Sequence, residues 1–466
     1  MIEGINPYPE YKDSGQAWLA SVPRHWAVLP NRAIFAEVKD RDHPDEQMLS
    51  VTITRGIVLQ KELLADSTKK DSSRQDKSAY KLVEPHDIAY NKMRAWQGAI
   101  AMSDFRGIIS PAYIVMRLRG DQNARYFHHL CRTPHFAKEA ERWSYGITSD
   151  MWSLRPEHFK MIYSTVPPRD EQIAIVRFLD HASGRVDRAI LAKKKLIALL
   201  NEQKQTIIQR AVTRGLDPTV PLKPSGIPWL GDIPKHWQIL RAKYLFREVD
   251  ERSTNGSEEL LSVSHITGVT PRSQKNITMF KARSYIGHKL CCPGDLVVNT
   301  MWAWMAALGV SAYTGIVSPA YAVYRPRHAE KFLGHYIDVL LRTKPYVSNI
   351  ICHSTGVRAS RLRLYPEEFF RLPIILPPVP EQSRIVENIA AETAHLEAST
   401  IHAEREIALL REYRIRLSAD VVTGKLDVRE AARDLPDTAE EAGAMEKIEE
   451  LTDVESEDAE PEDVEA

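Results

Sequence analysis

The stretch "HDIAYNKMRAWQGAIAMSDFRGIISPAYIVMR" from His86 returns as "GDLVVNTMWAWMAALGVSAYTGIVSPAYAVYR" from Gly294, an offset of 208. The agreement is not local. Ser14, Trp18, Pro23, His25, Trp26 and Phe35 fall on Ser225, Trp229, Pro234, His236, Trp237 and Phe246 at an offset of 211. "LSVT" at Leu49 matches "LSVS" at Leu261, "VPPRDEQIAIV" matches "LPPVPEQSRIV", and "AVTRGLD" matches "VVTGKLD". One unit of about 200 residues is written twice in a chain of 466. That period is too long for a solenoid and marks a duplicated domain pair. The offset drifts, so length differences fall between Gly56 and Tyr80 and between Arg117 and Arg132. The frames match while these interiors differ in length, sequence and charge.

Within each unit, short β-branched runs bounded by Gly, Pro and Asp read as strands: "LSVTI", "DIAYNKM", "IISPAYIVMRL" and their partners. "ARYFHHLCRTPHFAKEAER" and "AEKFLGHYIDVLLRTKPYVSNII" carry helical spacing. This makes an α/β or α+β globular part of about 150 residues. Pro167-Pro168 with Glu171-Gln172, and Pro377-Pro378 with Glu381-Gln382, then stop a strand and open a helix, whose dipole favours acid in its first turn. The helix that follows carries a heptad seam. In the first unit it runs through Val176, Leu179, Ser183, Val186, Ile190, Lys193, Ile197, Leu200, Lys204, Ile207 and Ala211. The second repeats it 210 residues on, through Val386, Ile389, Thr393, Leu396, Thr400, Ala403, Ile407, Leu410, Arg414, Leu417 and Val421. The matching seams predict two long helices packed on each other. Ser183/Thr393 and Lys204/Arg414 are polar at shared seam positions, a register device, and Gly184 is a place to fray or bend.

The formal charge is zero, but it is unevenly spread. From Asp434 onward there are 15 Asp and Glu against one Lys, which leaves 61 Lys and Arg against 47 Asp and Glu in the body, a net +14. A basic body is the footprint of a polyanion-binding protein, and the acidic tail reads as disordered and self-repelling. The recurring chemistry is basic and aromatic. Lys92, Arg94 and Trp96 stand opposite Trp302 and Trp304, and the first insert carries Lys69, Lys70, Arg74 and Lys77. The second unit answers with Arg272, Lys275, Lys281 and Arg283, and with Arg358, Arg361 and Arg363 in "STGVRASRLRL". Lys and Arg supply phosphate contacts, and Arg can fork onto guanine.

No catalytic motif stands out. There is no phosphate-binding G-x-x-x-x-G-K-[ST] and no G-x-G-x-x-G after a strand. "NPYP" at Asn6 lacks a cofactor-binding strand before it. His128, His129, Cys131 and His135 have metal-ligand chemistry, but their counterparts are Asp338, Val339, Leu341 and Pro345, so they read as a helix face and not as a metal site. His25 and His236 recur inside Pro-x-His-Trp and read as histidines packed beside tryptophan. The four cysteines show no C-x-x-C spacing, no apolar run reaches the ~20 residues of a membrane span, and no signal peptide opens the chain. The expectation is a reduced, cytoplasmic protein with no membrane partner.

The block order "YKDSG", "VP.HW", "LSVT", "D…N.M…G..SPAY", "PP..EQ" and a long helix, given twice, resembles the specificity (S) subunit of type I restriction–modification enzymes. The match runs to about Asp427. The resemblance implies an α+β fold with α/β-type target recognition domains, long antiparallel coiled-coil helices acting as spacers, and pseudo-twofold symmetry. On this reading residues 1–168 and 215–378 are recognition domains, 169–214 and 379–427 are spacer helices, and 428–466 are an acidic tail. It further implies an asymmetric, bipartite double-stranded DNA site, and partners in the modification (methyltransferase) subunits and the restriction/translocase subunit. S-adenosylmethionine, ATP and Mg are expected on those partners, with no catalysis and no cofactor on this chain. A stand-alone methyltransferase or nuclease, or a coiled-coil scaffold without a DNA role, is the alternative.

Overall fold

The structure is a computed structural model describing residues 5–65, 76–146, 152–275, 284–356, 362–433 and 435. Its contacts divide into two units, and the division does not follow the order of the chain. The first unit takes Met1–Lys195 together with Glu404–Ala466, and the second takes Leu196–Ala403. The first long helix, Arg169–Arg214, runs unbroken through Gly184, and the second spans Val379–Val422. Both are therefore longer than their seams, and each contributes one end to each unit.

The first unit is built on a four-stranded sheet in the order Phe35–Val38, Tyr113–Leu118, Ile88–Asn91, Ile100–Met102. The second repeats it with Phe246–Val249, Ala322–Pro326, Leu296–Val298 and Leu308–Val310. All strand ladders in both are antiparallel, which settles the class as α+β. The run Ile108–Leu118 is two strands, because Ser110–Ala112 turn the chain: Tyr113 N donates to Ser110 O at 2.9 Å. The helical stretch after it is also two pieces, Ala124–Cys131 and Pro134–Arg142. Thr133 caps the second, accepting from Phe136 N, and Pro134 takes the first turn, where its missing N–H costs nothing.

Period-two alternation gives each sheet two covered faces. In the first unit Ile88, Tyr90, Ile100, Met102, Ile114 and Met116 face a large core with Phe127, Phe136 and Phe159. Ala89, Ala101 and Val115 face a smaller one with Leu49, Val51 and Val83. The second unit divides the same way, with Leu296, Val298 and Tyr324 on one side and Val297 and Val323 on the other.

The large cores explain why the units divide in mid-helix. The first draws on Ile175, Phe178, Leu179 and Ala182 from the start of the first helix, on Leu417, Val421 and Val422 from the end of the second, and on Val428 and Ala432 past that end. The second draws on Ala211 and Val212, and on Ile385 and Ile389. Helix ends would leave carbonyls unpaired in these interiors. Tyr126 Oη and Thr165 Oγ1 both donate to Val422 O, at 3.1 and 3.0 Å, and Tyr336 Oη donates to Val212 O at 3.3 Å. Val428 and Ala432 are buried, so the first residues past Asp427 belong to the first core. Of the acidic tail, residue 434 and residues 436–466 lie outside the described residues.

Candidate nucleic-acid interface

The repeated motifs fall into two groups, those that hold the frame and those that present side chains. The Glu-Gln after each Pro-Pro belongs to the frame. Glu171 is buried and gathers three donors: the Tyr8 hydroxyl, Trp26 Nε1 at 3.0 Å and His25 Nε2 at 2.8 Å. Burial and this carboxylate push the Tyr8 phenol well above its ordinary value. Gln172 accepts from Asn123 N at 2.9 Å and donates to Pro167 O at 2.9 Å. In the second unit Gln382 makes the matching bonds to Leu333 N and Pro377 O, at 2.8 Å each. Glu381 holds His236 at 2.7 Å, while Trp237 Nε1, fully buried, has no hydrogen-bond partner among the described residues. His236 meets Trp237 edge-on, whereas His25 lies against the Tyr8 ring; both histidines are exposed, and each is tied to a helix-opening glutamate.

The four residues of the His/Cys group go separate ways. His128 Nδ1 accepts from Met102 N at 3.2 Å, His129 meets Asp180 at 3.2 Å, Cys131 is buried and His135 is exposed. Burial drives the Cys131 thiol up and His128 well down.

Asp87 and Asp295, buried, are each held by a forked arginine: Arg117 at 2.8 and 2.8 Å, and Arg325 at 2.9 and 3.0 Å. Another recurring pair, Arg132 and Arg342, was not singled out in the sequence. Arg132 Nη2 donates to Ile53 O at 2.9 Å and Thr54 O at 2.6 Å, and Arg342 Nη2 to His265 O at 2.5 Å and Ile266 O at 2.7 Å.

The N-x-M loops belong to the presenting group. Asn91 Oδ1 accepts from Met93 N at 3.0 Å, and Trp96 Nε1 donates to Met93 O at 3.0 Å. Asn299 and Trp304 make the same bonds to Met301, at 3.3 and 2.9 Å. Each loop ends on a left-handed residue, Gly98 or Ala306. On this shared frame the outward positions differ. Arg94 is exposed and Lys92 partly so, whereas Trp302 stacks on Trp304 at 5.6 Å. Trp96 instead packs edge-on against Trp152.

Of the other basic candidates, Lys77, Arg272 and Lys275 are partly buried, and Lys275 Nζ lies 3.4 Å from Ser262 Oγ. Lys69, Lys70, Arg74, Lys281, Arg283, Arg358 and Arg361 lie outside the described residues.

The two long helices pack antiparallel within each unit. In the first unit Asp187 meets Arg414 and Lys193 meets Glu406; in the second Lys204 meets Glu397. Leu179, Val186, Ile190, Ile407 and Leu417 of the seam are buried in the first unit, with Val176 and Leu410 partly so; in the second Ile389 and Leu396 are buried and Ile197, Leu200, Ile207 and Val386 partly so. Outside the seam, Leu199 and Leu409, equivalent in the two repeats, are 63% and 64% exposed. No described helix is long and apolar enough to cross a membrane.

No protein-family model matches the sequence, and no curated protein matches it. Solved structures do. A chain from a study of complex assembly and conformational transition of the type I R-M system superposes with a TM-score of 0.60 at 16% identity, covering 86% of this chain and 98% of that one. The HsdS subunit from Thermoanaerobacter tengcongensis gives 0.42 at 15% identity (87% and 98% covered), and the type I S subunit from M. genitalium 0.32 at 11% (85% and 96%). The fold of this chain, over nearly its whole length, is that of a chain from a type I restriction–modification system.

Proposed function

We propose that the chain is the DNA-specificity component of a type I restriction–modification assembly, with each unit reading one half of an asymmetric, bipartite duplex site. One observation carries the reading. The two units repeat each other down to single hydrogen bonds in the frame, yet differ at the positions the frame presents, such as exposed Arg94 against half-buried Trp302. Two readers on one scaffold need this pattern, whereas an enzyme duplicated for catalysis would keep its presented groups. The basic body and the fold likeness support it. The modification subunits dock on exposed apolar positions of the long helices, and S-adenosylmethionine, ATP and Mg belong to those partners and the translocating restriction subunit.

The test is methylated-base mapping in cells carrying the modification subunit with and without this chain, alongside duplex binding by the purified complex across a salt series. An asymmetric two-part motif that depends on the chain, with affinity falling steeply as salt rises, is expected. Methyl transfer by the purified chain alone, or a single unsplit motif, overturns the reading.

A further inference from the structure

Two hairpins, Leu49–Leu59 and Leu261–Pro271, pair in the same register, Thr52 opposite Gly56 and Ser264 opposite Gly268. Three residues form each tip: Ile53, Thr54 and Arg55 in the first unit, His265, Ile266 and Thr267 in the second. Three separate devices hold each tip. The hydroxyl of Thr52 or Ser264 accepts from the backbone N–H of Arg55 or Thr267, at 3.0 and 3.1 Å. Gly56 and Gly268 take the left-handed conformation, φ +79° and +65°, that closes a three-residue hairpin loop. Arg132 and Arg342 reach in from the helical layer, more than 70 residues away in sequence, and clamp the first two tip carbonyls. Arg132 also reaches Ile100 O at 3.4 Å, on the strand that follows the N-x-M loop.

All of this machinery is repeated, while all three tip residues differ. Arg55 and His265 are half-buried, and the isoleucines the tips hold outward are not side chains a solvent-facing turn needs. Ile53 is 40% exposed and Ile266 67% exposed. A clamped tip has already lost the loop entropy that binding would otherwise cost, which is how a recognition element is pre-organised.

We infer that these two hairpin tips are base-reading elements, each setting part of the half-site its unit recognises. The inference rests on the DNA-specificity reading above and adds residues to it that the basic candidates did not include. Arg55 carries a fork that suits guanine O6 and N7, and Ile266 an apolar surface that suits a thymine methyl. Burial, with Arg342 and Lys275 nearby, holds His265 below the ordinary imidazole range, so it meets a base edge as a neutral donor and acceptor.

The experiment grafts one tip onto the other frame in the full chain: Ile53→His, Thr54→Ile and Arg55→Thr together, expressed with the modification subunit and read by methylated-base mapping. The expected result is a change at one or two base pairs of one half-site, with the other half unaltered and discrimination at the changed pairs shifted on the order of 10- to 100-fold. Both halves read as before, at undiminished level, overturns the inference. If methylation is lost altogether, duplex binding by the purified variant decides. Loss of preference for the original site, with non-specific binding and melting temperature kept, supports the inference; retained preference or a collapsed melt overturns it. Arg132→Gln is the second variant, and it should blur the same half-site only. A wild-type chain that yields no bipartite motif would count against the DNA-specificity reading itself, a result distinct from an unaltered motif in the graft.

Discussion

Arg414 Nη1 donates to Asp187 Oδ1 at 2.5 Å, and Lys204 Nζ donates to Glu397 Oε1 at 2.6 Å. Shifting the first pair by 210 residues, Asp187 forward and Arg414 back, lands on the second. Antiparallel packing produces this image: each cation at the shared seam position meets an acid of the other helix, and not its own repeat. Burial holds Asp187 above the ordinary carboxylate range even beside Arg414. Burial therefore works against the pair at neutral pH. Asp187→Ala should change the first unit's stability by no more than about 1 kcal/mol, whereas Asp187→Arg, which sets two cations together, should cost more. The charge swap Asp187→Arg with Arg414→Asp should recover most of the loss, which a double-mutant cycle followed by denaturant melting would measure.

The clamp at Glu171 and its counterpart at Glu381 should differ in strength. Glu171 is buried under three donors, whereas Glu381 is less buried and holds His236. Removing a buried acceptor strands its donors at a cost of roughly 1–3 kcal/mol each. Glu171→Ala should lower the first unit's stability by about 3 kcal/mol or more, and Glu381→Ala the second's by about half as much. Equal losses in the two melts would show that the Tyr8 and Trp26 bonds contribute nothing.

Gly107 and its repeat Gly315 are required by close approach. A Cβ at Gly107 would lie 2.5 Å from Gln47 O, and one at Gly315 would lie 2.3 Å from Glu259 O. Both neighbours are backbone, so relief needs the strand to move. Gly107→Ala and Gly315→Ala should each cost about 2–3 kcal/mol, within the range for overpacking. Gly15→Ala, where no atom stands within 4 Å but φ is +68°, should cost about 1 kcal/mol.

Leu199 and Leu409 test the partner surface. They are exposed at equivalent positions on the helices. Leu199→Asp and Leu409→Asp should leave the melting of the isolated chain within ~0.5 kcal/mol of wild type. Each should weaken capture of the modification subunit at least tenfold, as truncating a central interface side chain does. Pull-down stoichiometry and chain stability, measured together, separate docking from folding.

Much of this protein was legible in its sequence, because it is written twice. The duplication, the block order, the short strands, the Pro-Pro–Glu-Gln helix openings and the two heptad seams all depend on local patterns that period and turn chemistry expose. The seam residues Leu179, Ile190, Leu396 and Ile407 are buried as their spacing required. Tertiary structure decided what local pattern cannot reach. The units divide in mid-helix because Val421 and Val422 complete a core that begins more than 390 residues earlier with Tyr8 and Trp26. Arg132 and Arg342 read as ordinary helix-end basic residues until folding lays their guanidinium groups on hairpin carbonyls 78 and 76 residues away. The tip triplets were visible as a mismatch between "LSVT" and Gly56 and between "LSVS" and Gly268. Nothing local showed that they were clamped. A hydrogen bond to a backbone carbonyl leaves no trace in the identity of the residue that offers it, so that information exists only once the chain has closed on itself.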